Sequence, residues 1–208
     1  MDGLVSNISL IAGVAGGGVS ARTVLLTGVA GWIAGAISMA LGEFSSVRTQ
    51  TEQVEAELAK ERRELRLNPV AEHHELVAML SARGFSDTLA KQVADEISAD
   101  PELALRVHAQ EELGVVPDQQ PSPWVAAGSS FLCFSLGALV PLLPYFFGFS
   151  VFWPALVCGA LGLFVAGALA SRATSKRWWM GGGRQLLLGM AAAGVTFVVG
   201  RVIGVNVN

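Results

Sequence analysis

The chain has 208 residues, of which 52% are hydrophobic and 15% charged, whereas an ordinary soluble domain carries about 25% charged residues. With a mean hydropathy of +0.51 and a net charge of −3, it is neither a typical water-soluble domain nor a basic nucleic-acid binder, and a membrane protein is the class to test. The charge is also segregated: Arg48 to Pro121 holds 15 of the 17 acidic residues but only 8 of the 14 basic ones.

From Gly3 to Ala21 and from Thr23 to Gly42 there is no charge, with Arg22 between them. A spanning helix needs about 20 apolar residues, so these runs predict two spans joined by a tight turn. The first is barely long enough and follows Met1-Asp2-Gly3 without a basic lead. It does not read as a cleaved signal peptide, and the abrupt start suggests a native chain that begins upstream.

Glu43 to Leu67 contains no proline or glycine and is rich in helix formers, so it should continue the second span into water. Asn68-Pro69 predicts a cap and a proline in the first turn of the next helix, which Gly84 should end. Ser86 or Asp87 can cap a third helix, and Asp100-Pro101 opens a fourth that Gly114 closes. Leu76, Met79, Leu80, Leu89, Val93, Ile97, Leu103 and Val107 are the expected core of this small bundle.

Gln119 to Ser171 is 53 residues without an ionisable acid or base, enough for two spans, with a break expected near Pro144-Tyr145-Phe146-Phe147-Gly148. Gln185 to Val205, interrupted only by Arg201, predicts the last. The expected fold is therefore all-α: five spans, with a helical insert between spans two and three. The expected boundaries are 1–47, 48–121 and 122–208. Arg172, Lys176, Arg177 and Arg184 crowd one short loop, which places that loop and the insert in the cytoplasm, the N-terminus inside and the C-terminus outside. Cys133 and Cys158 sit in apolar runs and read as small buried hydrophobes. Gly28, Gly31, Gly35 and Gly42, like Gly159, Gly162 and Gly167, suit close helix packing.

The chemistry-bearing residues lie mainly in the insert. Glu61 and Glu64, then Glu72 and Glu75, are each three apart on one helical face, and His108 stands one turn before Glu112. Two such pairs across the Asn68-Pro69 turn can converge, and the helix bearing His108 and Glu112 can close the site. Oxygen donors with one imidazole suit Fe²⁺ and Mn²⁺ and also accept Zn²⁺. The alternative is a solvated acidic face paired with Lys60, Arg62, Arg63 and Arg66. His73 and His74 point to other faces and read as surface residues. A di-iron oxidase would use Glu-x-x-His pairs, whereas both spaced pairs here are Glu-x-x-Glu, so neither an enzyme nor a prosthetic group is expected. In the membrane, Asp2, Asn7, Ser38, Met39 and Glu43 could handle an ion. A carboxylate at that depth is costly, and Met39 shares a face with Glu43.

Asp2-Gly3-Leu4-Val5-Ser6-Asn7, Gly35-Ala36-Ile37-Ser38-Met39-Ala40-Leu41-Gly42-Glu43 and the glutamate pairs that follow resemble the vacuolar iron transporter family, which includes the Ca²⁺-cross-complementer and nodulin-like proteins. The resemblance extends over essentially the whole chain and is to a bacterial-type member with a short N-terminus. It implies a homodimer of five-span subunits exchanging cytosolic Fe²⁺ or Mn²⁺ for protons, in a cell membrane or a vacuolar one. It also implies metal ligands at Glu61, Glu64, Glu72, Glu75 and Glu112, with His108 where other members have methionine, and a pathway through Asp2 and Met39. Gly31 stands where some members carry a membrane glutamate, and Glu43 is the available substitute. The competing expectation is a membrane-anchored metal sensor or binding module that transports nothing.

Overall fold

The computed structural model describes residues 1–172 and 177–207, the side chains of 118 and 205–207 excepted. Lys176 of the expected basic loop lies outside the described residues. Those described form α-helices and short 3-10 turns: α1 (Asp2–Gly16), α2 (Ala21–Leu67), α3 (Pro69–Ala82), α4 (Asp87–Ser98), α5 (Pro101–Glu112), α6 (Pro123–Leu139), α7 (Leu143–Phe146), α8 (Trp153–Arg172) and α9 (Trp178–Val207). They divide into two compact units, one of residues 1–43 and 124–208, the other of residues 44–123.

Among the described residues, four helical stretches have the length and hydropathy to cross a bilayer: Ala21–Leu67, which runs on into the second unit, Pro123–Phe146, Trp153–Arg172 and Trp178–Gly204. Their sides carry large exposed apolar residues, with Leu26, Leu161 and Leu187 all more than 60% exposed. A surface of that kind is stable against lipid tails and aggregation-prone in water. The chain is an integral membrane protein. Where five spans are expected, α1 has 15 residues and, at about 1.5 Å per residue, rises about 22 Å, short of the hydrocarbon thickness of about 30 Å. It stops early because Gly17 and Gly18 end it, Gly18 with φ +76°.

Lipid tails offer helices no hydrophobic reason to associate, so close approach and polar bonds hold them. Accordingly, α1 meets α9 glycine to glycine: a Cβ on Gly200 would collide with the Gly13 carbonyl. Thr196 donates to the Ser9 carbonyl at 2.7 Å and Asn7 Nδ2 to the Ala138 carbonyl at 2.7 Å. Apolar contacts fill the remainder, one cluster joining Ile11, Val24, Leu142, Tyr145 and Ala155. The break expected near Gly148 follows α7, where Gly148 has φ +88°. Cys133 departs from expectation: it is exposed on the apolar surface, and Cys158 is partly buried.

In the second unit the final turns of α2, with α3, α4 and α5, build the bundle. Glycine in the left-handed region ends α3 at Gly84 (φ +97°) and follows α5 at Gly114 (φ +65°). Ser86 caps α4 by accepting from Leu89 N, and Asp100 caps α5 by accepting from Glu102 N and Leu103 N. Asn68 makes no such side-chain bond. Its backbone carbonyl accepts from Ala71 N and Glu72 N, so it stands at the N-cap of α3 through its backbone. The core is Leu76, Leu80, Ala90 and Ala94, with Val77, Val93, Ile97 and Val107 against it. Leu89 and Leu103, expected in the core, are exposed instead, and Ala90 and Ala94 are the residues α4 buries.

Candidate metal centre

Three pieces of helix supply the site. Glu61 lies on the last turns of α2, and Glu72 stands in the first turn of α3. The chain reverses between them at Asn68, whose N–H still reaches the Glu64 carbonyl at 2.8 Å. His108 and Glu112 follow one another by a turn on α5, and this i,i+4 spacing puts both on one face.

The ligating atoms of Glu61, Glu72, His108 and Glu112 all lie within 4.8 Å of one another. His108 Nδ1 is the centre: it is 3.0 Å from Glu112 Oε1, 3.2 Å from Glu61 Oε1 and 3.7 Å from Glu72 Oε2. The His108 side chain is 1% exposed, that of Glu61 8% and that of Glu72 11%. Bonds of about 2.1 Å to a transition metal held tetrahedrally would set its ligands about 3.4 Å apart, so the widest pairs of the cluster would close by roughly an ångström around an ion.

The electrostatics are unfavourable without a cation. Among the described residues no lysine or arginine pairs with Glu61, Glu72 or Glu112. Burial first, then the neighbouring carboxylates Glu112, Glu72 and Glu64, raise the Glu61 carboxyl from 4.5 to about 7, although His108 opposes them. Glu72 is raised by burial first, with His108 opposing and Glu75, Glu64 and Glu112 adding. Glu61 Oε1, despite its approach to His108, has no hydrogen bond of good geometry. Buried carboxylates gathered this way need protons or a cation.

The other glutamates of the expected set stand further out. Glu64 is partly buried and Glu75 exposed, yet both act on Glu72 through their charge. Glu111, next to Glu112, turns to Arg83 at 2.7 Å. Of the basic residues that could have neutralised the face, Arg62 reaches Glu102 at 3.6 Å and Arg66 Nε donates to the Arg62 carbonyl. His73 pairs with Asp95 at 2.7 Å, and His74 is exposed.

In the membrane unit, Asp2 begins α1 and accepts from Ser6. Met39 and Glu43 are exposed on α2. A Cβ on Gly3 would strike the Phe134 carbonyl, and one on Gly35 the Phe134 ring. Asp2 and Met39 therefore each lie within about a turn of a glycine packed on the same α6 residue. At Gly31 an added Cβ would meet the tip of Leu10, with Asn7 Oδ1 3.5 Å away. Asn7 Oδ1 and Ser135 Oγ are buried without a hydrogen-bond partner among the described residues. Ser135 had no distinguishing signal in the sequence, where it is one hydroxyl among many in an apolar run.

A helical membrane protein with a buried carboxylate-imidazole cluster in its second compact unit is the class these features define. The chain belongs to the VIT family, whose profile matches residues 1–201. It is 38% identical over 157 residues to a protein named Vacuolar iron transporter from Acanthamoeba castellanii, a match that takes in 70% of this chain and 59% of that one. With Vacuolar iron transporter 2 of Oryza sativa subsp. japonica it shares 27% identity over 205 residues, 97% of this chain and 83% of the relative. Vacuolar iron transporter homolog 1 of the same species is 33% identical over 215 residues, covering 99% and 71%.

Proposed function

We propose that this protein moves a divalent transition metal, Fe²⁺ or Mn²⁺, out of the cytosol across a bilayer in exchange for protons. The observation that carries the reading is the cluster of Glu61, Glu72, His108 and Glu112, three carboxylates around one imidazole with no neutralising lysine or arginine among the described residues. Hard oxygen donors with a single nitrogen select first-row divalent ions over Cu⁺, while tolerating Zn²⁺. Glu64 and Glu75, outside the cluster but close enough to raise Glu72, would draw ions toward it and extend the ligand set. The relatives named vacuolar iron transporters support iron as cargo.

The insert faces the cytosol in this reading, because the basic residues Arg172, Arg177 and Arg184 assign the same side to the loop between α8 and α9. Asp2, Met39 and Glu43 carry the ion through the membrane, the thioether favouring Fe²⁺ over Mg²⁺ or Ca²⁺. A second copy of the chain covers the face of α2 on which Ala30, Ala34 and Ser38 are exposed and completes the path.

Titration of the full chain in detergent with Mn²⁺, and with Fe²⁺ under anaerobic conditions, tests the cluster by calorimetry. Glu61→Ala combined with Glu72→Ala should weaken binding by at least tenfold. Equal affinity in both proteins would remove the cluster from the mechanism. A membrane-anchored binding module would pass this titration and yet give no flux in proteoliposomes.

A further inference from the structure

The sequence after Asp118 contains no aspartate or glutamate, yet the junction of α8 and α9 carries Arg172, Arg177 and Arg184. All three are exposed, and among the described residues none forms an ion pair. The two helices meet closely there: a Cβ on Gly181 would collide with Ser171 Oγ and crowd the Gly167 carbonyl. Arg172, next to Ser171, and Arg184, one turn beyond Gly181, therefore belong to one end of the helix pair, and Arg177 immediately precedes α9. Trp178 and Trp179, both more than half exposed, stand at the same end. Trp178 is steadied edge-on against Phe164 with ring centroids 6.0 Å apart.

Below this end a shallow, open face of α9 is lined by Trp179, Met180, Gly183, Arg184, Leu187 and Leu188, with Arg184 the arginine that stands on it. From Trp179 to Leu188 the helix rises about 13 Å, so the lining passes from guanidinium and indole to purely aliphatic. Indole rings favour the level of lipid headgroups, and arginine pairs strongly with phosphate. We propose that this surface is a binding site for an anionic phospholipid, whose phosphate sits among Arg172, Arg177 and Arg184 while an acyl chain follows Leu187 and Leu188. A second copy is the poorer occupant. A twofold contact sets a patch against itself, which here would oppose arginines to arginines in a low dielectric. The proposal is independent of the metal centre.

The test is lipid retention by the full chain, purified in neutral detergent and titrated with phosphatidylglycerol or phosphatidylcholine, read by native mass spectrometry. Phosphatidylglycerol should bind at least tenfold more tightly, and 0.5 M salt should erase the difference. At about 1 kcal/mol per basic residue near an anionic lipid, each Arg→Gln change should weaken phosphatidylglycerol about fivefold. The triple change R172Q, R177Q and R184Q should reduce it to the phosphatidylcholine level, and the matching lysine triple should keep most of the preference. If the glutamine triple does not fold, the single variants and the salt series on the unmodified chain decide the matter. Equal retention of the two lipids would overturn the proposal, as would a preference that survives R172Q, R177Q and R184Q. Binding of soluble glycerol phosphate as tight as that of the lipid would also overturn it, and so would crosslinking between copies through Trp179.

Discussion

Burial and the nearby Glu112 and Glu72 carboxylates penalise the charge of Glu61, lifting its carboxyl from 4.5 to about 7. A carboxyl raised in the folded state binds more protons folded than unfolded. Its stabilising contribution is therefore complete below about pH 4.5 and is lost as pH rises through about 7. The metal-free protein should accordingly melt at a lower temperature at pH 8 than at pH 5.5, and Glu61→Gln should flatten that dependence; a melting series in detergent checks both. The metal works in the opposite direction, since it must displace the proton. Affinity for Mn²⁺ should rise by about tenfold per pH unit between pH 5.5 and 7 and level off above. At the same scale, His108→Ala removes the one nitrogen that all three carboxylates approach. It should cost metal affinity by about 10- to 100-fold, measured by calorimetry on the full chain.

At the scale of elements, the sequence made the insert's helices legible because proline and glycine punctuate them: Pro69 and Pro101 open α3 and α5, and Gly84 and Gly114 follow α3 and α5 at positive φ. It could also pair Glu61 with Glu64 and Glu72 with Glu75, since that follows from helical spacing. It could not say which member of each pair turns inward, because the answer depends on where α5 brings His108, a contact between positions some 36 to 47 residues apart. The same holds for Leu89 and Leu103, apolar at helical spacing and yet exposed. In the membrane unit, glycine spacing announced close packing without naming partners. The contact of Gly200 with the Gly13 carbonyl makes a specific prediction. Gly200→Ala should destabilise the protein by about 1–3 kcal/mol, since overpacking forces the helices apart. Gly194→Ala, with nothing within 4 Å of the added carbon, should be neutral or stabilising by up to about 1 kcal/mol. Thermal melting of both variants in the same detergent separates the two cases.

At the scale of the molecule, the acidic residues gather in one stretch, Arg48 to Pro121, and the expected boundaries follow that stretch. The compact units fall at residues 43/44 and 123/124, a few residues from the expected 47/48 and 121/122. The first span was the hardest to read, because a run of uncharged residues does not reveal that Gly17 and Gly18 stop the helix after Gly16. Exposed faces on α1 and α2 fit a homodimer, which crosslinking in native membranes should capture; recovery of monomer alone would count against it. The claim that matters most is that metal crosses the membrane through Asp2 and Met39, and uptake of Fe²⁺ or Mn²⁺ into proteoliposomes tests it most directly. The account predicts uptake above protein-free liposomes, faster when the compartment receiving the metal is acidic, and lost in Asp2→Ala and Met39→Ala while calorimetric binding by the insert persists. Uptake no greater than in protein-free liposomes, or full flux in both variants, would contradict it.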